Sequence, residues 1–257
     1  SGCFVVFLVL MKTYMDRFKT NDMLPLRHIF PYVAITTITD VMSLNDPINR
    51  LVIRLGLNSM NSYRDKFWLF LASSIGINKR YVSKHMGFNI GPVINAANRT
   101  DSEQTAFDLL TSIDSKDLTI NLNSLLTLNK YRKSTQRELV AEMKKKIDFS
   151  NYKHSIVFIL DTDIAINGNV ASSLGESYKL PTICFSGDSD ILKGSCRGIL
   201  NSIHMLDILD GIMEIDNSVI IERGGHKNAA GLSIHKDKFE RFKELFDLKC
   251  KEAINST

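Results

Sequence analysis

Residues 224–231 read Gly224-Gly225-His226-Lys227-Asn228-Ala229-Ala230-Gly231, and this stretch is the key to the fold of the chain. It follows a predicted strand at Ser218 to Ile221 and precedes another apolar stretch at Leu232 to Ile234, so it marks a turn between regular elements. Two adjacent glycines let bare N–H groups point into one concavity that suits an anionic oxygen, and His226 and Lys227 bring further donors. The stretch fits a phosphate cradle, and it equally fits a glycine-rich turn whose histidine is satisfied by local backbone.

Length, composition and charge set the limits of the interpretation. With 257 residues, of which 44% are hydrophobic, the chain can bury one large core or two modest ones, and we expect two lobes. Its 32 Lys and Arg against 28 Asp and Glu give a net charge of +4, and the pI is about 8.8. This balance is compatible with an anionic partner but does not require one.

The cysteines and the first apolar run indicate the compartment. Cys3, Cys184, Cys196 and Cys250 include no close pair of the kind that forms zinc sites or redox motifs. They indicate reduced thiols in a cytoplasmic protein without a disulfide framework. The apolar run from Phe4 to Met11 is too short to span a bilayer and has no basic region before it, so it predicts a buried helix.

Helical patterns fill the first part of the chain, with Trp68 and Phe70 expected in a core. The predicted helices cover residues 3–18, 29–42, 50–60 and 65–74. Asp40 lies near the end of the second of these helices, inside a largely apolar stretch. A carboxylate in such a place either caps local backbone or binds a cation.

A long helical pattern runs from about Lys116 to Ile147 and predicts a helix of roughly 45 Å, enough to bridge two lobes. Its cations fall near one stripe, formed by Lys130, Lys133, Arg137 and Lys144. Such a stripe is usually a solvated face, but it can also follow a nucleic-acid backbone.

The composition changes at Asn151, where an α/β lobe begins. Buried-strand patterns at Ser155 to Leu160 and Pro181 to Phe185 flank a helix at about Gly168 to Tyr178, which is a βαβ unit. Further helices are predicted at 205–213 and 238–253. Ser195 and Arg197 are two residues apart on an extended segment, so they project to the same side and suit a phosphate, unless they are simply an exposed pair.

The stretch 224–231 resembles the Gly-Gly-His-x-x-Ala-Ala-Gly signature of the DHH phosphoesterase superfamily, in its DHH-associated domain. Residues 34–44, followed by Asn49-Arg50, are similar to the last metal-binding motif of RecJ-like nucleases. In that family the aspartate of the motif ligates a catalytic Mn²⁺ or Mg²⁺, and the resemblance gives this role to Asp40. Three departures from the motif, at Thr36, Thr39 and Ser43, do not involve a ligand.

Three further segments resemble the RecJ family. Residues 87–99 are similar to its Asn-Ala-Ala-x-Arg motif and make Arg99 a phosphate or carboxylate binder, with an interdomain salt bridge as the alternative. Asn98 stands there in place of the usual glycine or serine. In the segment Gly194 to Arg197, the resemblance implies that Ser195 and Arg197 bind a terminal phosphate. Residues 164–172 resemble a further motif, in which Asp163 replaces the family histidine and Ala165 a glycine.

The resemblance implies an α/β chain in three parts. Residues 1–60 correspond to the C-terminal part of a DHH catalytic domain, residues 61–150 to a helical connector with the long helix, and residues 151–257 to a smaller DHH-associated substrate-binding domain with a mixed sheet. The family's upstream aspartates and its Asp-His-His triplet do not occur, so we expect the N-terminal DHH portion to be missing. The two-metal site is then incomplete, and this chain alone is expected to be inactive.

The implied reaction is metal-assisted hydrolysis of phosphodiester bonds by a 5′-to-3′ single-stranded DNA exonuclease active in DNA repair and recombination. Asp40 and His226 are the predicted catalytic residues. The predicted phosphate-binding residues are Arg99, Ser195, Arg197, Gly224, Gly225, His226 and Lys227. The implied partners are single-stranded nucleic acid, with DNA preferred over RNA, and the missing DHH portion. A membrane is not expected as a partner. The alternatives are a DHH phosphodiesterase for nanoRNA or cyclic dinucleotides and a non-catalytic nucleic-acid-binding or assembly module.

Overall fold

The computed structural model describes residues 1–22, 24–62, 66–97, 103–112, 114–146, 148, 152–161, 164–187, 190–199 and 203–256. The chain divides into two compact units, Ser1–Asn129 and Lys130–Thr257. The first is helical and the second contains a mixed sheet, so the predicted α/β class is confirmed. In the described part of the chain, no helix combines the length and apolar character needed to cross a membrane.

The first unit is built from helices joined by short turns. They are α1 (Gly2–Phe18), a 3-10 helix (Leu24–Ile29), α2 (Phe30–Thr39), α3 (Pro47–Met60), α4 (Lys66–Ser74), α5 (Ser83–His85), a π-helical turn (Met86–Ile90), α6 (Gly91–Ile94), α7 (Glu103–Thr111) and the first half of α8 (Ser115–Lys146). The helices predicted at 3–18, 29–42, 50–60 and 65–74 are thereby confirmed.

Trp68 is the centre of the main core of this unit. Its side chain is 1% exposed and is packed among rings from Tyr32, Phe67 and Tyr81. The Tyr81 hydroxyl donates to the Trp68 carbonyl at 2.5 Å, and burial raises the pKa of that phenol. Phe70 packs at the edge of the same cluster, so both aromatic side chains belong to the core as expected.

The first helix differs from the prediction of a buried helix. Phe7 faces a small core and is 4% exposed, but Val5, Val6 and Val9 on the opposite side are 61%, 68% and 63% exposed. The apolar run specified a helix, as predicted. Within the described residues, however, only one of its faces is covered by side chains of this unit.

The second unit contains a five-stranded sheet in the order β1-β2-β3-β5-β4. The strands are β1 (Ile156–Ile159), β2 (Thr182–Ser186), β3 (Ile191–Arg197), β4 (Glu222–His226) and β5 (Ala229–His235). The helices of this unit, besides the second half of α8, are α9 (Ile164–Tyr178), α10 (Met205–Ile215) and α11 (Phe239–Asn255). Strands β1 and β2 are parallel and are joined by α9, which confirms the predicted βαβ unit, and the other pairs are antiparallel.

The two faces of the sheet have different coverings. On one face, Cys196, Leu232 and Ile234 pack with α10 and α11 in a large apolar core. On the other face, Cys184 of β2 and Ile156 and Phe158 of β1 pack beneath α9 and the end of α8. Gly231 of β5 and all of β4 are exposed, so the sheet is open on this face at its last two strands.

The strand predicted at Ser218 to Ile221 is wrong, because pairing begins later. Strand β4 contains both glycines of the motif, and the turn is the two-residue Lys227-Asn228. Val219 and Ile220 are buried in the core as loop residues, at 0% and 3% exposure. Their apolar character reflects packing on the core, which the pattern cannot distinguish from strand pairing.

Candidate functional site

The open half of the sheet carries the candidate site in two rows of cross-strand neighbours. Ser195 of β3 pairs with Gly231 of β5, which pairs with Gly224 of β4. Arg197, Ala229 and His226 form the next row in the same way. Because cross-strand partners and residues two apart project to the same face, the sheet brings these side chains to one surface.

Two glycines form a bare floor between the polar side chains. A Cβ on Gly224 would meet no atom within 4 Å, and one on Gly231 would meet only the Gly194 carbonyl oxygen at 3.9 Å. The fold of the described residues therefore leaves room for a side chain at both positions. Such a surface of exposed backbone allows a ligand to approach closely.

Gly225 has a different, structural reason to be glycine. Its φ is 147°, and a Cβ would overlap the Ala229 carbonyl oxygen and the Ala230 Cα of its own hairpin. Its neighbours across the turn thus require it, independently of any ligand. The sequence predicted one phosphate cradle shaped by both adjacent glycines. In the structure the two differ, because Gly224 leaves the surface open, whereas Gly225 allows the hairpin to form.

The hairpin that presents His226 is held by its turn. The Lys227 carbonyl accepts a hydrogen bond from the Met205 N–H at 2.8 Å, and the Asn228 carbonyl accepts one from the Gly198 N–H at 2.9 Å. The imidazole of His226 is exposed and has no hydrogen-bond partner among the described residues, and the same is true of the Lys227 ammonium. The alternative of a histidine satisfied by local backbone is therefore not what the structure shows.

Arg197 is the most informative side chain of the site. Its guanidinium is half-buried, donates to the Cys196 carbonyl at 2.8 Å and lies directly against Gly168 of α9, where a Cβ would overlap it. Burial lowers its pKa, and no described carboxylate acts on it. A desolvated cation without an acidic partner is costly, so this position favours an anion from outside the chain.

Ser195 stands beside this guanidinium on the same face. Its side chain is half-buried and has no hydrogen-bond partner among the described residues. The hydroxyl is thus available as a donor or acceptor for the same anion. The period of two along the strand was a sufficient signal for this pair, whereas the Gly224–Gly231 floor and the Gly168 contact depend on the cross-strand register and on helix packing.

Asp40 lies in the first unit, at the C-terminal end of α2. Its carboxylate is exposed and accepts no hydrogen bond from the described residues, so it does not cap local backbone. The following loop is fixed by Asn49, which donates to the Ser43 carbonyl at 3.0 Å, and by Arg50, which donates to the Leu44 carbonyl at 2.5 Å. The Asn-Arg pair therefore holds the loop that follows the aspartate.

The described residues do not fit a complete metal site. Among them, no group of three His, Cys, Asp or Glu side chains is placed to hold a metal ion. One exposed carboxylate cannot hold a pair of divalent cations, which need several oxygen or nitrogen ligands. The role of Asp40 as a single metal ligand stays a prediction.

Two of the predicted positions lie outside the described residues. They are Arg99, with its neighbour Asn98, and Asp163, which replaces the family histidine. The predicted phosphate-binding role of Arg99 stays a prediction.

The cysteines are not part of the site. All four are free thiols, and Cys184, Cys196 and Cys250 are buried. Burial raises the pKa of each of these three thiols, which keeps them protonated and unreactive.

Val41, next to Asp40, has a strained backbone that yields a stability prediction. Helix α2 ends in a Schellman motif in which the Met42 N–H donates to the Thr37 carbonyl at 3.1 Å, and Val41 occupies the left-handed position with φ of 53°. A β-branched residue is unfavourable there, and its side chain is 87% exposed. We expect Val41→Gly to stabilise the first unit by about 1 kcal/mol in urea unfolding.

Trp68 is the sole tryptophan of the chain, so its fluorescence reports on the first unit. Val41→Ala keeps a Cβ and is the matched control, with a smaller expected gain. Destabilisation by Val41→Gly would show that the valine side chain makes a stabilising contact.

Comparison with known proteins gives the family context of this geometry. Residues 151–252 match the DHHA1 domain family. The RecJ protein of Haemophilus influenzae, described as a single-stranded-DNA-specific exonuclease, is 31% identical over 227 residues, covering 84% of this chain and 39% of that protein. Its Escherichia coli counterpart is 28% identical over 230 residues, covering 86% and 40%. The chain thus spans about two fifths of the length of these relatives.

Solved structures show the same fold. RecJ from Thermus thermophilus in complex with Mg²⁺ superimposes with a TM-score of 0.78 at 24% identity, covering 93% of this chain and 36% of that one. An exonuclease RecJ bound to manganese gives a TM-score of 0.71 at 22% identity, covering 95% and 60%. At these identities, the likeness supports the arrangement of helices and strands and does not assign ligands to residues.

Proposed function

Because the chain is a RecJ-like protein of the DHH superfamily, we propose that it supplies the substrate-binding part of a metal-dependent, 5′-to-3′ single-stranded DNA exonuclease. The observation that carries this proposal is the half-buried guanidinium of Arg197, which has no described carboxylate partner and stands beside the free hydroxyl of Ser195. The relatives are described as exonucleases specific for single-stranded DNA, which supports single-stranded DNA as the proposed substrate.

The terminal 5′-phosphate is assigned to Arg197 and Ser195. A guanidinium offers a fork of N–H donors that matches two phosphate oxygens, and the serine hydroxyl adds a third donor on the same face. A phosphate placed there gives the desolvated cation its missing counter-charge. The nucleotide attached to this phosphate then lies on the floor formed by Gly224 and Gly231.

His226 and Lys227 are assigned to the scissile phosphate. Both are exposed on a hairpin whose turn is fixed by two backbone hydrogen bonds, so the backbone that carries them is held in place before substrate arrives. Their donors are free to contact a phosphate oxygen and to stabilise developing negative charge there. In this proposal Asp40 supplies one metal ligand from residues 1–60, Arg99 binds phosphate from the connector 61–150, and residues 151–257 form the substrate-binding domain.

The glycine floor can be tested separately from the fold. Gly231→Ala and Gly224→Ala place a methyl group into open space within this chain, so the thermal stability should be unchanged. The same methyl group blocks a nucleotide lying on the floor, so affinity for 5′-phosphorylated single-stranded DNA should fall roughly 5-fold or more, as for about 1 kcal/mol of lost contact. Fluorescence anisotropy and thermal unfolding measure the two quantities.

Gly225→Ala is the contrasting variant for this experiment. It strains a backbone with φ of 147° and overlaps the opposite strand, so it should lower the melting temperature clearly. Full affinity of both floor variants would exclude a nucleotide on the floor.

Hydrolysis is proposed to need ligands that the described residues do not supply. The purified 257-residue chain should bind single-stranded DNA without degrading it, and Mn²⁺-dependent hydrolysis should appear when a polypeptide carrying the remaining family motifs is added. Release of labelled nucleotides with and without that polypeptide measures this. Robust hydrolysis by the chain alone, abolished by a chelator, would place the active site elsewhere.

The other candidate functions predict different outcomes in these assays. A phosphodiesterase for nanoRNA or cyclic dinucleotides would prefer dinucleotides over long single strands. A non-catalytic binding or assembly module, which the lack of a three-ligand cluster among the described residues favours, would bind DNA but gain no hydrolysis from the added polypeptide.

A further inference from the structure

The exposed side of α8 in the second unit carries a stripe of four cations, Lys130, Lys133, Arg137 and Lys144. Their spacings of three, four and seven residues place them within about 60° around the helix axis. All four residues are exposed, and none of them forms an ion pair with a described carboxylate. The acidic residues of this half of the helix, Glu138 and Glu142, lie on a neighbouring side. The stripe is therefore an uncompensated positive surface.

Helix α9 lies along one edge of this stripe and adds hydroxyl groups. Gln136 donates from Nε2 to the Ser173 Oγ at 2.9 Å, and Lys144 donates from Nζ to the Ser177 Oγ at 3.0 Å. Ser172 is half-buried on the adjoining surface of α9. Lysine has three donors, so Lys144 keeps two of them for a ligand. The edge between the helices combines cations from α8 with hydroxyls from α9.

The direction of the two helices connects this edge to Arg197. Gln136 contacts the earlier turns of α9, and Lys144 contacts its end, so the helices run the same way. The N-terminal part of α9, where Gly168 touches the Arg197 guanidinium, is therefore at the same end as Lys133. From Lys133 to Lys144 the helix rises by roughly 16 Å. The positive edge thus begins toward the end of α9 that contacts Arg197 and runs toward the other end of that helix.

We propose that this edge is a second nucleic-acid site, the α8 track, formed by Lys130, Lys133, Arg137 and Lys144 with Ser172, Ser173 and Ser177. It binds the sugar–phosphate backbone of the same single strand, at nucleotides beyond the one whose terminal phosphate meets Arg197, and in this it rests on the proposed function. Cations and hydroxyls positioned for phosphates bind without reading bases, so the track is independent of sequence.

One acidic side chain allows a test of whether the α8 track attracts a negatively charged strand. Glu176 is the single carboxylate of α9 and is exposed near the track. Its negative charge repels a phosphate backbone bound at the track, so Glu176→Gln should strengthen binding of a long single strand. An unchanged affinity would show that the four cations form only a solvated face.

The decisive experiment removes three cations of the track from the 257-residue chain. The variant Lys133→Ala, Arg137→Ala and Lys144→Ala is compared with a control that removes three exposed cations outside the track, namely Lys145 on another side of α8, Lys236 and Lys251. Both lose the same net charge. Anisotropy titrations with a 5′-phosphorylated 20-nucleotide single strand are run from 50 to 300 mM salt, and with a 5′-phosphorylated dinucleotide at one salt concentration.

The track variant should bind the 20-nucleotide strand at least 10-fold more weakly than the control variant. The slope of log affinity against log salt should fall by about 2, since each single-strand phosphate contact contributes roughly 0.7. Dinucleotide binding should be unchanged, because a dinucleotide does not reach the track. Equal affinities and slopes for the two variants would overturn the proposal, and so would an equal loss on the dinucleotide.

Arg197→Ala, measured in the same series, separates this proposal from the proposed function. If Arg197→Ala weakens binding and the track variant does not, the terminal-phosphate site stands and the track is wrong. If only the track variant weakens binding, the track stands and the terminal-phosphate assignment is wrong.

Discussion

Arg197→Ala is expected to weaken binding of 5′-phosphorylated single-stranded DNA by about 1–3 kcal/mol, roughly 5- to 150-fold in Kd. The reason is the loss of a charge-assisted contact from a guanidinium whose half-buried position holds no described acidic partner. Binding of the same strand with a 5′-hydroxyl should change little. Isothermal titration calorimetry or anisotropy with the two oligonucleotides measures the difference.

The stability of this variant provides a second, independent readout. A desolvated cation without a counter-charge does not stabilise the free protein, so Arg197→Ala should leave the melting temperature unchanged or raise it. Arg241→Ala, which removes an exposed arginine of α11, is the control for net charge. Equal losses on 5′-phosphate and 5′-hydroxyl DNA would indicate a general backbone contact in place of an end-binding site.

His226→Ala is expected to lower turnover on the order of 10²-fold in an enzyme reconstituted from this chain and the remaining family motifs. The imidazole is exposed on a fixed hairpin and has no hydrogen-bond partner among the described residues. Its removal therefore breaks no hydrogen bond of the described fold, and the melting temperature should not change. Single-turnover hydrolysis measures the rate, and thermal unfolding of the isolated chain checks that stability is retained.

His235→Ala is the matched control, because this histidine is also exposed but lies at the far end of β5. It should leave turnover unchanged. Normal turnover of His226→Ala together with a clearly lowered melting temperature would make the histidine structural and would remove it from the site.

The sequence was sufficient to predict most elements of the fold, because their signals are local. The long helix α8 and the βαβ unit follow from the spacing of apolar residues, and both are present. The strand at Ser218 to Ile221 was wrong because apolar residues of a buried loop have the same pattern as a strand. The burial of α1 was overestimated because composition shows that a surface is apolar but not what covers it.

The candidate site was predicted in part. Ser195 and Arg197 could be paired because strand side chains alternate, and the structure places them on one face. The separate roles of Gly224 and Gly225 could not be predicted, since they depend on the register of the hairpin and on its backbone angles. The contact between Gly168 and Arg197 joins distant parts of the chain, so no local pattern reveals it.

A crystal structure of this chain with a 5′-phosphorylated single-stranded oligonucleotide tests most directly whether Arg197 and Ser195 bind the terminal phosphate. We predict that the terminal phosphate lies within hydrogen-bond distance of the Arg197 guanidinium and the Ser195 hydroxyl, with the first nucleotide on the Gly224–Gly231 floor. A bound oligonucleotide whose terminal phosphate lies away from this face of the sheet, with Arg197 contacting no phosphate, would contradict the account.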